Sequence, residues 1–85
     1  LHLGAKMCIE DTWGSDITTA ALSHLGAATD PRRVLNVCDL SGYVSPRLAL
    51  DGPVRSNGRL APPDGIGLGI TPDRDRLGTP DLILE

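Results

Sequence analysis

Two carboxylates and an indole stand in a row where an apolar segment ends. Met7-Cys8-Ile9 runs without a linker into Glu10-Asp11-Thr12-Trp13-Gly14, and a helix start follows at Ser15 or Asp16. That layout suits a barrel strand that delivers side chains to an active site. The chemistry on offer is that of a carboxylate beside an indole face, whose quadrupole attracts a cationic or quaternary nitrogen by about 0.5–2 kcal/mol. Strand alternation turns Glu10 and Asp11 to opposite sides, so only one of the two faces a pocket. For Asp11 the competing assignment is a helix cap or an arginine partner. For Trp13 it is an apolar filler between packed layers, since a large ring with one polar handle suits either role.

Other reactive groups carry less. Cys8 and Cys38 each sit in an apolar run without framework spacing, which favours reduced, buried thiols and a cytosolic setting. His24 lies on an apolar helix face and reads as a core histidine rather than a base for Cys8. Two Cys and two His at these separations match no zinc pattern. Gly65-Ile66-Gly67-Leu68-Gly69 lacks the spacing and the strand–helix setting of a dinucleotide fingerprint and reads as a turn. Asp73, Arg74, Asp75 and Arg76 read as a solvated face with local ion pairs. Lys6, the only lysine, starts its strand instead of ending it.

The elements that must position Glu10, Asp11 and Trp13 come from a short chain. With 85 residues there is room for one small domain, and such a chain buries only about 60–65 % of its unfolded surface. Trp13 and Tyr43 are the only aromatic residues, so the core rests on Leu, Ile, Val and Ala. The net charge of −3, with scattered basic residues, gives no footprint for nucleic acid. No apolar run approaches the ~18 residues of a membrane span.

The pattern predicts a frayed helix end at Leu1 to Gly4 and a strand at about 5–10. A helix follows over about 15–29, with Ile17, Ala20, Ala21, His24, Leu25 and Ala28 on its apolar face, and a strand over 34–38. Residues 1–40 therefore read as α/β. Residues 41–85 change character, with most of the seven Pro and ten Gly punctuating short apolar pieces. Ser56-Asn57-Gly58-Arg59 predicts a hairpin turn. A one-turn helix is expected near 72–77, capped by Thr71 with Pro72 in its first turn, and a strand at Leu82-Ile83-Leu84. This half reads as an extended arm that packs on something else, because it holds too little apolar surface for a core of its own.

Taken in order, Met7 to Gly14, Ile17 to Ala28, Asp39-Leu40-Ser41-Gly42-Tyr43-Val44, and Asn57-Gly58-Arg59-Leu60 through Gly67-Leu68-Gly69-Ile70 resemble the carboxy-terminal end of the mandelate racemase and muconate lactonizing enzyme group of the enolase superfamily. The similarity is greatest to the branch of cis-3-hydroxyproline dehydratases and hydroxyproline-betaine epimerases. The resemblance implies the last strand and helix of a (β/α)7β TIM-like barrel, plus a C-terminal arm that packs on a capping domain. It implies an isomerase or lyase, a racemase, epimerase or dehydratase, that removes the proton α to a carboxylate of an amino-acid or hydroxy-acid substrate through an enolate. Magnesium would steady that charge in the parent enzyme, with ligands and bases on strands outside this sequence.

On the same grounds Glu10 corresponds to the acid at the end of the last barrel strand, an auxiliary catalytic group that hydrogen-bonds the substrate or shares a proton with it. Glu10, Asp11 and Trp13 are the substrate-binding candidates, Trp13 suiting a proline-like or betaine nitrogen. No metal ligand falls in this stretch. The expected partners are a small carboxylate substrate and the remainder of the barrel and capping domain, in a cytoplasmic homo-oligomer. The fragment alone is expected to be inactive. The alternative is a small standalone α/β protein with a binding or structural role.

Overall fold

The computed structural model describes residues 3–85. The predicted helix end at Leu1 and His2 lies outside the described residues. The first half is a strand–helix–strand unit of β1 (Met7–Glu10), α1 (Asp16–Ala28) and β2 (Val34–Cys38). β1 and β2 pair in parallel, Cys8 opposite Asn36, Ile9 opposite Val37 and Glu10 opposite Cys38, with an irregularity between Met7 and Cys8. The parallel sheet therefore continues past β1 through 34–38.

The sequence explains both ends of α1. Ser15 is the N-cap, its hydroxyl accepting from the Ile17 N–H at 3.2 Å, and Thr29 leaves the helix in extended backbone ahead of Asp30-Pro31. Its buried side is not the apolar stripe that the periodicity predicts. Asp16, Thr19, Ala20 and Ser23 are buried, whereas Leu25 is 53 % exposed. Small and polar residues win that face because the helix lies very close to the sheet. A Cβ built on Gly26 would come within 2.8 Å of a Val37 methyl. Register partners share a face, so Ile9 and Val37 both turn toward α1. Cys8, Glu10, Asn36 and Cys38 turn the other way, onto an open face. The expectation of buried thiols is thereby corrected: Cys8 is exposed and Cys38 half-buried, since among the described residues nothing covers that side of a two-stranded sheet.

The second half crosses back over the end of this unit. Asp39 caps a 3-10 turn at Leu40–Tyr43. The hairpin forms as predicted, β3 (Arg55–Ser56) against β4 (Arg59–Leu60), and Asn57 (φ 50°) with Gly58 (φ 70°) supplies the two positive φ angles of its tight turn. Ala49 bridges Pro72, and the one-turn helix α2 (Arg74–Leu77) follows. Its cap is Asp73 rather than Thr71, because Thr71 is drawn to Asp51 and to the Leu50 amide instead. The Gly65–Gly69 segment is a turn, closed by the Gly69 N–H on the Ile66 carbonyl at 3.1 Å, and a Cβ on Gly69 would strike Pro63 and the Gly65 backbone. The strand expected at Leu82 to Leu84 does not form. Those side chains are exposed, and among the described residues no strand pairs with them.

Apart from Pro53, only Ile9, Ala20 and Ala49 are buried apolar residues among those described. The radius of gyration is 14.4 Å, against about 12 Å for a compact chain of this length. Much of what holds the arm must therefore be polar.

Candidate functional site

The site is built on the turn that ends β1. Thr12 (φ 51°) and Trp13 (φ 65°) both take left-handed backbone, which costs a non-glycine residue roughly 1–2 kcal/mol each. Asp11 holds this turn. Its carboxylate accepts from the Trp13 N–H at 3.2 Å, and its carbonyl accepts from the Gly14 N–H at 3.1 Å. The other carboxylate oxygen takes the Thr19 hydroxyl at 2.9 Å, the Ser41 N–H at 2.9 Å and the Ser41 hydroxyl at 2.8 Å.

Asp11 is wholly inaccessible to solvent. Burial pushes its pKa up, but the donors of Ser41, Thr19 and Trp13 together outweigh burial and hold the carboxyl below its usual value. A buried carboxylate with this many donors is a structural anion. It joins the end of β1, the first turns of α1 and the start of the arm.

A second carboxylate does similar work one step further on. Asp16, in the first turn of α1, accepts from the Leu48 N–H at 3.0 Å, the Ala49 N–H at 3.1 Å and Arg47 Nε at 3.3 Å. Its position at a helix N-terminus favours negative charge. Arg47 also donates to the Pro53 carbonyl at 2.7 Å, so the arm is tied on both sides of the contact. Between these anchors lies a cavity of about 290 Å³, lined by Trp13, Ser41, Val44, Pro46, Arg47 and Leu48 among others. Trp13 is 58 % exposed and tilts toward Tyr43, with ring centroids 6.3 Å apart.

Glu10 does not line that cavity. It stands on the open face of the sheet, opposite Cys38 and next but one to Cys8. The thiols of Cys8 and Cys38 are 3.8 Å apart, and Cys8 donates to the Asn36 side-chain carbonyl at 2.6 Å. The Cys38 pKa is raised, first by its hydrogen bond with Cys8, then by burial and by the electrostatic influence of Cys8 and of the Glu10 and Asp11 carboxylates. His24 bonds the Leu68 carbonyl at 3.1 Å, which fastens α1 to the glycine-rich turn. Among the described residues, no group of three or more His, Cys, Asp or Glu could hold a metal ion.

Of the three candidates, then, Glu10 and Trp13 remain accessible on different sides of the strand end, and Asp11 is directed inward. Asp16, Ser41, Thr19 and Arg47 complete the geometry, and none of the four is marked as a site residue by local sequence pattern. The available signal for Asp16 was its place as one of two possible caps. Ser41, within the Asp39–Val44 segment, carries no such signal.

Residues 2–76 match the family described as enolase C-terminal domain-like. The chain belongs to that family. It is 46 % identical over 77 residues to the cis-3-hydroxy-L-proline dehydratase of Roseibium aggregatum, a match covering 91 % of this chain and 21 % of that protein. The crystal structure of a mandelate racemase/muconate lactonizing enzyme from Roseovarius nubinhibens superposes with a TM-score of 0.81 at 39 % identity, over 91 % of this chain and 21 % of the other. The chain thus spans about a fifth of the length of these relatives. It is an enolase-superfamily chain related to a dehydratase and a racemase. No helix among the described residues is long and apolar enough to cross a membrane.

Proposed function

We propose that this chain forms the carboxy-terminal wall of an enolase-type active site that removes the proton α to a carboxylate of an amino-acid or hydroxy-acid substrate, such as a proline-like one. The observation that carries the reading is the end of β1, where a left-handed turn locked by Asp11 leaves Glu10 and Trp13 accessible. Strand ends are where a barrel of this class keeps its chemistry. Glu10 would accept or share a proton with a substrate carboxylate, and the Trp13 face would take a cationic nitrogen.

Enolase-superfamily members commonly use Mg²⁺, but the residues present do not fit that ion. Glu10 is a single carboxylate and the lone pairs of Asp11 are committed to internal donors. The metal ligands and the principal bases are assigned to the rest of the barrel, and the isolated chain to inactivity.

The test is a chimera in which this chain replaces the matching segment of the Roseibium aggregatum dehydratase. Turnover of cis-3-hydroxy-L-proline within about tenfold of the parent is expected. Glu10→Gln should lower kcat by about 10–100-fold and Trp13→Ala should mainly raise KM, by up to about thirtyfold. A folded chimera without turnover, or one indifferent to both substitutions, would refute the reading. A well-dispersed, cooperatively unfolding isolated chain would favour the standalone role.

A further inference from the structure

The chain's only two aromatic side chains meet beyond the carboxyl end of β1. Trp13 and Tyr43 lie with ring centroids 6.3 Å apart and planes tilted by 42°, inside the separation of about 4.5–7 Å at which aromatic rings attract.

The backbone imposes this meeting. One carboxylate, that of Asp11, accepts the Trp13 N–H at 3.2 Å and, on its other oxygen, the Ser41 N–H at 2.9 Å and the Ser41 hydroxyl at 2.8 Å, from 30 positions along the chain. Ser41 is the second residue of the 3-10 turn Leu40–Tyr43, which Asp39 closes by accepting the Gly42 N–H at 3.0 Å. The Ser15 N–H adds a bond to the Ser41 hydroxyl at 3.1 Å. The turn that carries Trp13 and the turn that carries Tyr43 are thus pinned to one buried anion. All of these groups belong to this chain and Asp11 is inaccessible to solvent, so the pairing does not depend on which outer surfaces of the chain stand open.

Given Trp13 as the surface that takes a cationic nitrogen, the reading on which this step rests, we propose that Tyr43 is the positioning residue for Trp13 and, through it, a determinant of specificity for substrates with a positively charged ring nitrogen.

A cation is attracted only when it sits over the ring face, within about 6 Å of the centroid, so the attraction depends on the plane in which the indole is held. An unbraced indole turns about two side-chain torsions, and each turn carries its face off the nitrogen. Contact with the Tyr43 ring restrains both. Tyr43 can occupy at most one face of the indole, and Trp13 still lines the cavity of about 290 Å³ beside Ser41 and Val44. The restraint acts on the charge-dependent part of binding and not on proton transfer, which is assigned to Glu10 and the rest of the barrel.

The experiment uses the chimera with the Roseibium aggregatum dehydratase and measures steady-state kinetics together with two inhibition constants. L-Proline carries the cationic ring nitrogen, and cyclopentanecarboxylate has the same five-membered ring and carboxylate without it. Tyr43→Ala should raise KM for the dehydratase's substrate and the L-proline constant by about three- to tenfold, leaving kcat and the cyclopentanecarboxylate constant within about twofold. Tyr43→Phe should keep the chimera's values, because the ring is what braces. Tyr43→Leu, which keeps bulk without the ring, should behave as Tyr43→Ala does, and it serves where the alanine variant does not fold. In a Trp13→Ala background, Tyr43→Ala should change KM and the L-proline constant by less than about twofold, since no indole is left to position. An equal loss of both inhibitors, a loss that persists without Trp13, or unchanged constants in Tyr43→Leu would overturn the proposal. Failure of the underlying reading is recognised separately: Trp13→Ala itself then leaves the L-proline constant unchanged, and the proposal falls with it. Where Trp13→Ala weakens L-proline and Tyr43→Ala does not, the role of Tyr43 alone is refuted.

Discussion

The two halves of this molecule are held by different forces. In the strand–helix–strand unit of residues 7–38, a parallel backbone ladder and a helix at glycine-contact distance do the positioning, with Ile9 and Ala20 sealed between them. The arm beyond Asp39 has almost no apolar core, since Ala49 is its one buried hydrophobic residue other than proline among those described. It is fastened by Asp11 on Ser41, Asp16 on Leu48 and Ala49, and His24 on Leu68. The contrast teaches that the arm's path is set at the carboxyl end of β1. The groups that shape the Trp13 cavity are therefore the same groups that hold the arm, and a change at either carboxylate should act on both.

The chimera provides a folded setting in which to break this contrast. The largest effect is expected from Asp11→Ala, which leaves the Ser41, Thr19 and Trp13 donors without their acceptor. A loss of about 3–5 kcal/mol in urea unfolding follows, by analogy with unpaired buried groups. The pH dependence has a fixed sign. The folded pKa of Asp11 lies below its ordinary value of 3.8, so its contribution is complete above that value and disappears as the pH falls through the lower, folded one. Asp11→Asn should accordingly flatten the acid limb of the stability profile, and an unchanged limb would contradict the assignment.

Gly26→Val strikes the other half. Its added carbons meet the Val37 methyl, and about 1–3 kcal/mol should be lost while the arm's amide protection relative to the rest stays as it was. Gly58→Ala places a side chain at φ 70° in the hairpin turn and should cost about 1 kcal/mol, confined to the arm and read by exchange of the Arg55 and Leu60 amides. At the bottom of the scale, Arg32→Ala breaks the solvent-facing pair with Asp30 at 2.7 Å and should leave the urea midpoint unchanged.

The same contrast explains what was legible in the sequence. Local signals sufficed for the two strands, for α1 and for the Asn57-Gly58 hairpin, because backbone propensity and turn chemistry determine those within a few residues. The strand over 34–38 agrees to the residue. What failed depended on distant partners. Periodicity placed Ile17 and Leu25 on the inner face of α1. The helix instead buries Asp16, Thr19 and Ser23, because Asp11 and the arm recruit them from outside the helix. The cap of α2 moved from Thr71 to Asp73 because Asp51, twenty positions away from Thr71, had claimed it. Leu82 to Leu84 has strand composition, but among the described residues no strand pairs with it. Glu10 and Trp13 were legible because strand alternation and an abrupt change of residue type mark them. Asp16 and Ser41 were not, since a carboxylate that binds amides thirty residues on leaves no local trace.

The central claim, that buried carboxylates at the end of β1 and the start of α1 hold the arm and with it the wall of the Trp13 cavity, is tested most directly by native-state amide hydrogen exchange on the chimera and its Asp16→Asn variant. The account predicts that Leu48 and Ala49 lose protection by about tenfold or more, roughly 1.4 kcal/mol, while the amides of the β1–β2 ladder keep theirs. Unchanged protection at Leu48 and Ala49, or an equal loss across both halves, would contradict it.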